Sequence, residues 1–275
     1  MLINEISCAK VNLGLEVLHK RSDSYHQILS VLLKINLNDY ISMKESKENQ
    51  ILQNGIEEND NIIRKVVSFM QKQYRNTPIR IEVKKNIPYS SGLGGGSSNA
   101  AAVIKGINKL WKLKLKTEEM KKIAIHFGSD VPFFISHNTA IVEGRGEIIH
   151  EIPRPSFNQI LLICPNIYLE QKTTKIYDNV LSYTDGSRTL KTISMIKEKK
   201  QMSYNLFNGL ESSALGMFPT LKSFKNILNN LKLNSLNLTG AGPTYYSIFN
   251  DNSATFWKNK IESKLKAKCI IVDNL

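Results

Sequence analysis

Ser91-Gly92-Leu93-Gly94-Gly95-Gly96-Ser97-Ser98-Asn99 decides how this chain is read. Four of the five residues from Gly92 to Gly96 are glycine. Glycine enters positive φ at little cost, and without a Cβ it lets backbone N–H groups come close to a ligand. Before this run, Ile79, Ile81 and Val83 alternate with Arg80 and Glu82, which predicts a strand ending near Pro88. After it, the alanine-rich stretch Asn99 to Leu110 predicts a helix. A helix start offers N–H donors without helical partners and the positive end of the helix dipole. Strand, glycine loop and helix together therefore predict a phosphate cradle. A flexible turn would explain the glycines but not the Ser-Ser-Asn-Ala helix start. Spacing excludes two better-known nucleotide loops. A Walker A loop needs a Gly-Lys pair, which the chain lacks; G-x-G-x-x-G fails at Ser97 from Gly92 and at Asn99 from Gly94.

Outward from the loop, the pattern is mixed. Val11, Leu13, Leu15 and Val17 alternate with Lys10, Asn12, Gly14 and Glu16, which predicts a half-buried strand over Ala9–Leu18 with Lys10 and Asn12 on one face. Ile28–Ile35, Thr139–Val142, Ile160–Ile163, Tyr245–Phe249 and Ala267–Val272 also read as strands. Asp60 is placed to cap a helix whose apolar face holds Ile63, Val66, Val67 and Met70. Further helices are predicted for Thr117–Phe127, stopping at Gly128, and for Thr189–Lys197, Asn205–Leu215 and Leu221–Leu231, with an amphipathic stretch over Ser253–Leu265. Pro153-Arg154-Pro155 is the best boundary signal, dividing the chain into 1–153 and 154–275. The expected class is α+β in two layers.

The net charge of +13 invites a nucleic-acid reading, but the lysines are scattered and no aromatic residues interleave with them as a base-stacking surface requires. They read as solvated surface. Cys8, Cys164 and Cys269 are odd in number and far apart, which suits buried thiols in a reducing compartment. The chain shows no apolar run of membrane-spanning length and no leader pattern, so a cytoplasmic enzyme is expected.

Two further segments carry chemistry. In Gly128-Ser129-Asp130-Val131-Pro132-Phe133-Phe134 an aspartate stands between a helix end and an apolar run. It suits a general base held ionised by a cation, but from this segment alone a cap or turn before a strand is the weightier reading. Lys10 alone is similarly open. In Leu238-Thr239-Gly240-Ala241-Gly242-Pro243-Thr244 two glycines and a proline between apolar runs predict a tight hairpin, which could also offer N–H donors to the first loop.

Together these segments resemble the GHMP family of small-molecule kinases, whose phosphate motif Pro-x3-Gly-Leu-x-Ser-Ser-Ala appears lengthened from Pro88 to Ala100. The closest resemblance is to the branch acting on a cytidine diphosphate-linked methylerythritol in the non-mevalonate isoprenoid pathway. That branch typically carries Ala-Lys-Ile-Asn-Leu, Asp-Gly-Tyr-His, Gly-Leu-Gly-Gly-Gly-Ser-Ser, Gly-Ala-Asp-Val-Pro-Phe-Phe and Ser-Gly-Ser-Gly-Pro-Thr. Here they read as Ala9–Leu13, Asp23–His26, Gly92–Ser98, Gly128–Phe134 and Thr239–Thr244, in the same order.

The resemblance implies a two-domain fold, a ribosomal-protein-S5-like N-terminal domain followed by a ferredoxin-like C-terminal one. It implies ATP-dependent phosphorylation of the substrate's 2-hydroxyl, with Mg²⁺, and neither nucleic acid nor membrane as partner. Asp130 would be the catalytic base, and Lys10 would sit beside it, keeping it ionised. Asn12 would meet the substrate's phosphate or polyol, Tyr25 would stack on cytosine, His26 would bond the base edge, and Thr173 would lie near the substrate. Asn61 and Lys85 would line the adenine side. Pro88, Gly92, Leu93, Gly94, Gly95, Gly96, Ser97, Ser98 and Asn99 would hold the phosphates, with Ser97 or Ser98 supporting the metal. Three positions depart from the pattern: Gly14 where phenylalanine is common, Ser24 for glycine, and Gly209 for aspartate in Asn-Asp-Leu-Glu. A family member acting on mevalonate or homoserine would not need Tyr25-His26, and a non-catalytic nucleotide binder would not need Lys10 and Asp130.

Overall fold

The computed structural model describes residues 1–53, 61–180, 182–202, 206–233, 235–273 and 275. Two long paired strands open the chain, β1 (Leu2–Lys20) and β2 (His26–Glu45). The alternating run lies inside β1, but it is not half-buried: every residue from Ala9 to Val17 is buried, the polar ones included. Buried polar groups need partners, and those of Lys10 and Asn12 belong to the site described below.

The chain forms two compact units that interleave in sequence. The first comprises Met1–Ala9, Leu37–Tyr89 and Gly94–His137, the second Lys10–Asn36, Ser90–Leu93 and Asn138–Leu275. The boundary signal at Pro153–Pro155 falls inside the second unit.

In the first unit β3 (Gln50–Leu52) runs parallel to β4 (Ile79–Lys84), which pairs antiparallel with Tyr40–Glu45 of β2. Helix α1 (Ile62–Gln73) buries Ile63, Val66, Val67 and Met70, the four residues its periodicity predicts. Its cap is Asn61, whose Oδ1 accepts from the Ile63 N–H at 3.0 Å; Asp60 lies outside the described residues. Helix α2 (Gly95–Leu110) starts within the glycine run rather than at Asn99. Small residues let it pack closely: a Cβ at Gly106 would stand 2.5 Å from Met43 Sδ. The predicted Thr117–Phe127 helix is α3 (Thr117–Ala124) followed by a 3-10 turn, Ile125–Phe127, broken at Gly128 with φ of 146°. The apolar run after Asp130 is not a strand but a short helix, α4 (Val131–Ser136), with a proline in its first turn, where a missing N–H costs nothing.

In the second unit β5 (Thr139–Gly144) pairs antiparallel with Ile28–Leu33 of β2 and with β6 (Ile148–Glu151). The rest of the unit follows the order β7 (Gln159–Pro165), α5 (Lys172–Asp178), α6 (Ser187–Lys197), α7 (Glu211–Met217), α8 (Pro219–Asn230), β8 (Asn237–Leu238), β9 (Tyr245–Phe249), α9 (Ala254–Glu262) and β10 (Ala267–Val272). The helix expected over Asn205–Leu215 begins only at Glu211, and Asn205 is outside the described residues. These strands make an antiparallel sheet in the order β10-β7-β9-β8. With helices after β7 and β9, that is the split β-α-β arrangement of a ferredoxin-like unit. Leu161, Ile163, Phe224, Leu228, Tyr245 and Ile261 lie in its core. Cys164 and Cys269 are buried and Cys8 half-buried, and none of the three is in a disulfide. No described helix is long and apolar enough to cross a membrane.

Candidate active site

The glycine loop is divided between the two units, and each half is held differently. In the first unit Gly94 takes φ of 72° and serves as the N-cap of α2 without a side-chain bond. The first α-helical bond is Ser98 N–H to Gly94 O, 2.9 Å, so the N–H groups of Gly95, Gly96 and Ser97 have no carbonyl one turn earlier to donate to. A Cβ at Gly96 would meet nothing within 4 Å. Donors at the positive end of a 16-residue helix, beside open space, suit an anion. Pro88, half-buried, precedes the loop.

Beneath these donors lies a buried polar cluster. Asp39 Oδ1 accepts from the N–H groups of Asn86 (2.7 Å) and Ile87 (2.9 Å), while Oδ2 accepts from Lys85 Nζ. The Asn99 amide is oriented by its neighbours: its nitrogen faces Asp39 Oδ2 (2.9 Å), Gly95 O (2.9 Å) and Ser7 Oγ (2.7 Å), and its oxygen faces Lys85 Nζ (3.3 Å). Ser7 also donates to Ser98 Oγ at 2.7 Å, which ties up a hydroxyl that is itself buried; Ser97 is the more open of the two serines.

In the second unit Gly92 has φ of 84°, and a Cβ there would stand 2.4 Å from Thr239 O and 2.9 Å from Gly242 O. Only glycine fits. The hairpin Thr239–Thr244 does offer a donor to the first loop, Thr244 N–H to Ser91 O at 3.2 Å. Lys10 Nζ donates to Asn12 Oδ1 (2.8 Å) and Gly92 O (2.9 Å), so the shared strand face predicted for Lys10 and Asn12 is a direct contact. Asn12 Nδ2 donates to Ser30 Oγ (2.9 Å), which donates to Gly14 O (2.7 Å), and Tyr246 OH donates to Asn12 O (2.6 Å). Asn208 Nδ2 braces the hairpin through Leu238 O and Gly240 O, both at 2.9 Å. Lys172 Nζ donates to Ser90 O (2.7 Å) and Gly242 O. Burial first, and then the charge of Lys10, pull Lys172 down to about 7.

Asp130 belongs to the first unit and Lys10 to the second. Asp130 is half-buried at the start of α4, in the turn closed by Val131 N–H to Gly128 O at 3.2 Å, and its side chain makes no capping bond to the helix. Tyr25 is exposed, with the Arg145 guanidinium 4.9 Å from its ring centre. His26 is buried, with ring centres at 5.4 Å to Tyr177 and 6.2 Å to Tyr183. Desolvation and then Lys20 hold the imidazole below its ordinary pKa, favouring the neutral ring that can both donate and accept. Thr173 is exposed on α5. Two departures from the family pattern have visible consequences. Ser24 takes φ of 67°, the conformation that favours glycine, and Thr189 Oγ1 lies 3.1 Å from where a Cβ of Gly14 would be.

Sequence reasoning missed Asp39, Ser7, Lys172 and Tyr246, and gave Asn208 no role beyond its place in the Asn-Asp-Leu-Glu pattern. The only signal for Asp39 was a charged residue amid a strand-like run, which is commonly a solvated one. Lys172 adjoins Thr173 but was one basic residue among many.

Comparison with known proteins adds the following. The profile of the GHMP kinases N terminal domain matches residues 61–138. The chain is 34% identical over 258 residues to a Dehalococcoides mccartyi protein named 4-diphosphocytidyl-2-C-methyl-D-erythritol kinase, covering 92% of this chain and 91% of that one. It is 37% identical to a Caldanaerobacter subterraneus subsp. tengcongensis protein of the same name, over 88% and 86% of the two chains. A crystal structure of 4-(cytidine 5'-diphospho)-2C-methyl-D-erythritol kinase superposes with a TM-score of 0.80 at 22% identity, covering 98% of this chain and 99% of that one, which establishes the fold.

Proposed function

Because the chain belongs to the 4-diphosphocytidyl-2-C-methyl-D-erythritol kinases of the GHMP family, we propose that it phosphorylates the 2-hydroxyl of 4-diphosphocytidyl-2-C-methyl-D-erythritol with ATP, in the non-mevalonate isoprenoid pathway. One observation carries the reading from family to chemistry: a glycine-lined helix start with open space above Gly96, in a chain 34% identical to such a kinase over 92% of its length.

In this proposal the N–H groups at the start of α2 hold the ATP phosphates, with Asn61, Lys85 and Pro88 on the nucleotide side. The substrate's 2-hydroxyl oxygen attacks the γ-phosphorus, the bond to the bridging oxygen breaks and ADP leaves. Asp130 takes the hydroxyl proton. Lys10 stabilises negative charge on the reacting groups, and Asn12 orients the substrate. Tyr25 and the neutral His26 recognise cytosine by stacking and by hydrogen bonding, with Thr173 nearby. Such chemistry is mostly positioning and electrostatics.

Mg²⁺ belongs to the proposal as a partner of the phosphates. Among the described residues no group of three or more His, Cys, Asp or Glu side chains is disposed to hold a metal. Mg²⁺ beside a nucleotide is commonly held mainly by phosphate oxygens and water. Ser97, the more open hydroxyl, is the residue that would support it. When bound, the ion supplies charge neutralisation on the transferred phosphate.

The test is ATP consumption with the cytidylylated substrate, mevalonate and homoserine side by side. Turnover confined to the first is expected; turnover confined to either of the others would overturn the substrate assignment. Asp130→Ala is expected to lower kcat by about 10²–10⁴-fold, the range for losing a general base. Lys10→Ala should impair turnover too, and the double variant should lose less than the product of the single losses. Wild-type turnover by a folded Asp130→Ala protein would remove Asp130 from the mechanism.

A further inference from the structure

Asp39 has no role in the mechanism above, yet its side chain is wholly buried and its two oxygens serve four donors. These donors come from both flanks of the glycine loop. Lys85, Asn86 and Ile87 lead into it, and Asn99 lies in the helix that follows. The two oxygens divide the work. Oδ1 holds backbone N–H groups, while Oδ2 holds the Lys85 ammonium and the Asn99 amide.

The placement of the charges is informative. A Cβ on Gly95 would stand 3.4 Å from Lys85 Nζ, so the ammonium lies against the first residue of α2. That is the wrong end of a helix for a cation, since the dipole there is positive. Nor is a buried ion pair by itself a device for stability, because a well-packed apolar pair commonly does as well. A cation held at a helix N-terminus against the dipole makes sense where an anion is to be received. The buried carboxylate is what keeps it there.

We infer that Asp39 is a positioning residue of the nucleotide site, holding Lys85 and Asn99 in register with the N–H groups at the start of α2. The inference rests on the kinase reading for the identity of the anion, ATP. The carboxylate touches neither phosphate nor reacting atoms; it acts chiefly through Lys85, since Asn99 is also held by Gly95 O and Ser7 Oγ.

Asp39→Asn separates the two functions. Its remaining oxygen can keep the bonds from Asn86 and Ile87, while its NH₂ group faces the ammonium and the Asn99 amide, donor against donor. With the full-length protein and ATP as titrant, Asp39→Asn should raise the Kd for ATP by about tenfold or more, or ~1.4 kcal/mol. The Kd for the cytidylylated substrate should change less than about twofold. An unchanged Kd for ATP, or equal losses for both ligands, would overturn the inference.

Lys85→Met and the double variant Asp39→Asn/Lys85→Met complete a cycle. The double variant contains no stranded buried charge, so it serves even if Asp39→Asn alone does not fold. If Asp39 acts through Lys85, the double variant should bind ATP about as Lys85→Met does. A further tenfold loss in the double variant would show that Asp39 works by another route and would overturn the inference. Failure of the kinase reading is separately visible: wild-type protein would bind ATP but fail to phosphorylate the cytidylylated substrate.

Discussion

The two halves of the glycine loop solve the same problem by opposite means. From Ser90 to Leu93 the backbone is pressed against other backbone: Gly92 has no room for a Cβ, and the lysines at hand, Lys10 and Lys172, donate to the carbonyls of Ser90, Gly92 and Gly242. From Gly94 to Asn99 the backbone is open at Gly96, and the lysine at hand, Lys85, is matched by a buried carboxylate. One half uses glycine for close packing; the other leaves it open, and the proposed function uses that opening for ATP. On that proposal the same residue type serves fold in one place and function in the other, and substitution can tell them apart.

Gly92→Ala should have the largest effect on the fold. It places a Cβ 2.4 Å from a carbonyl oxygen at φ of 84°. Overpacking and left-handed strain together amount to roughly 3 kcal/mol, which should appear in chemical unfolding with loss of activity. A stable, active variant would mean the first half is not packed as described. Gly96→Ala should spare stability, to within about 0.5 kcal/mol, while the KM for ATP rises about tenfold through obstruction of the open face, ~1.4 kcal/mol in binding. Equal damage from both alanines would break the comparison.

The smallest effect concerns Lys172. With its folded pKa lowered to about 7, it is charged in both folded and unfolded chains below that pH. Between about pH 7 and the ordinary lysine value of about 10.4, the unfolded chain holds a proton that the folded chain has released, so stability rises with pH. The Tm of wild type relative to Lys172→Met should therefore climb from pH 7 to pH 9. A difference that stays flat would show that Lys172 is not held in the desolvated, carbonyl-bound position.

Much of this architecture was legible in advance where one element carries its own pattern. The apolar face of α1 emerged residue for residue, and β9 and β10 took their predicted spans. Helix α4, with six residues, has too few turns for a period to be recognised, so its apolar run read as the start of a strand. The half-buried reading of β1 failed for a different reason. Alternation predicts one wet face, but here the polar face is covered: Lys10 donates to the loop carbonyl of Gly92, Asn12 to Ser30, and Glu16 Oε2 accepts from the Thr189 N–H.

By itself the sequence determined what short-range stereochemistry can encode. It showed that the glycine run precedes a helix in a geometry neither Walker nor Rossmann, that Lys10 and Asn12 share a strand face, and that the order of motifs is that of a GHMP kinase. Only the tertiary structure decided what each glycine is for and which lysine meets a carboxylate. Asp39 reaches Lys85, Asn86 and Ile87 across 46 to 48 residues of chain, and no local period reports a bond of that span. The loop proves to be two structures joined at Leu93 and Gly94, one closed by packing and one left open, because the space around a backbone is set by what folds against it.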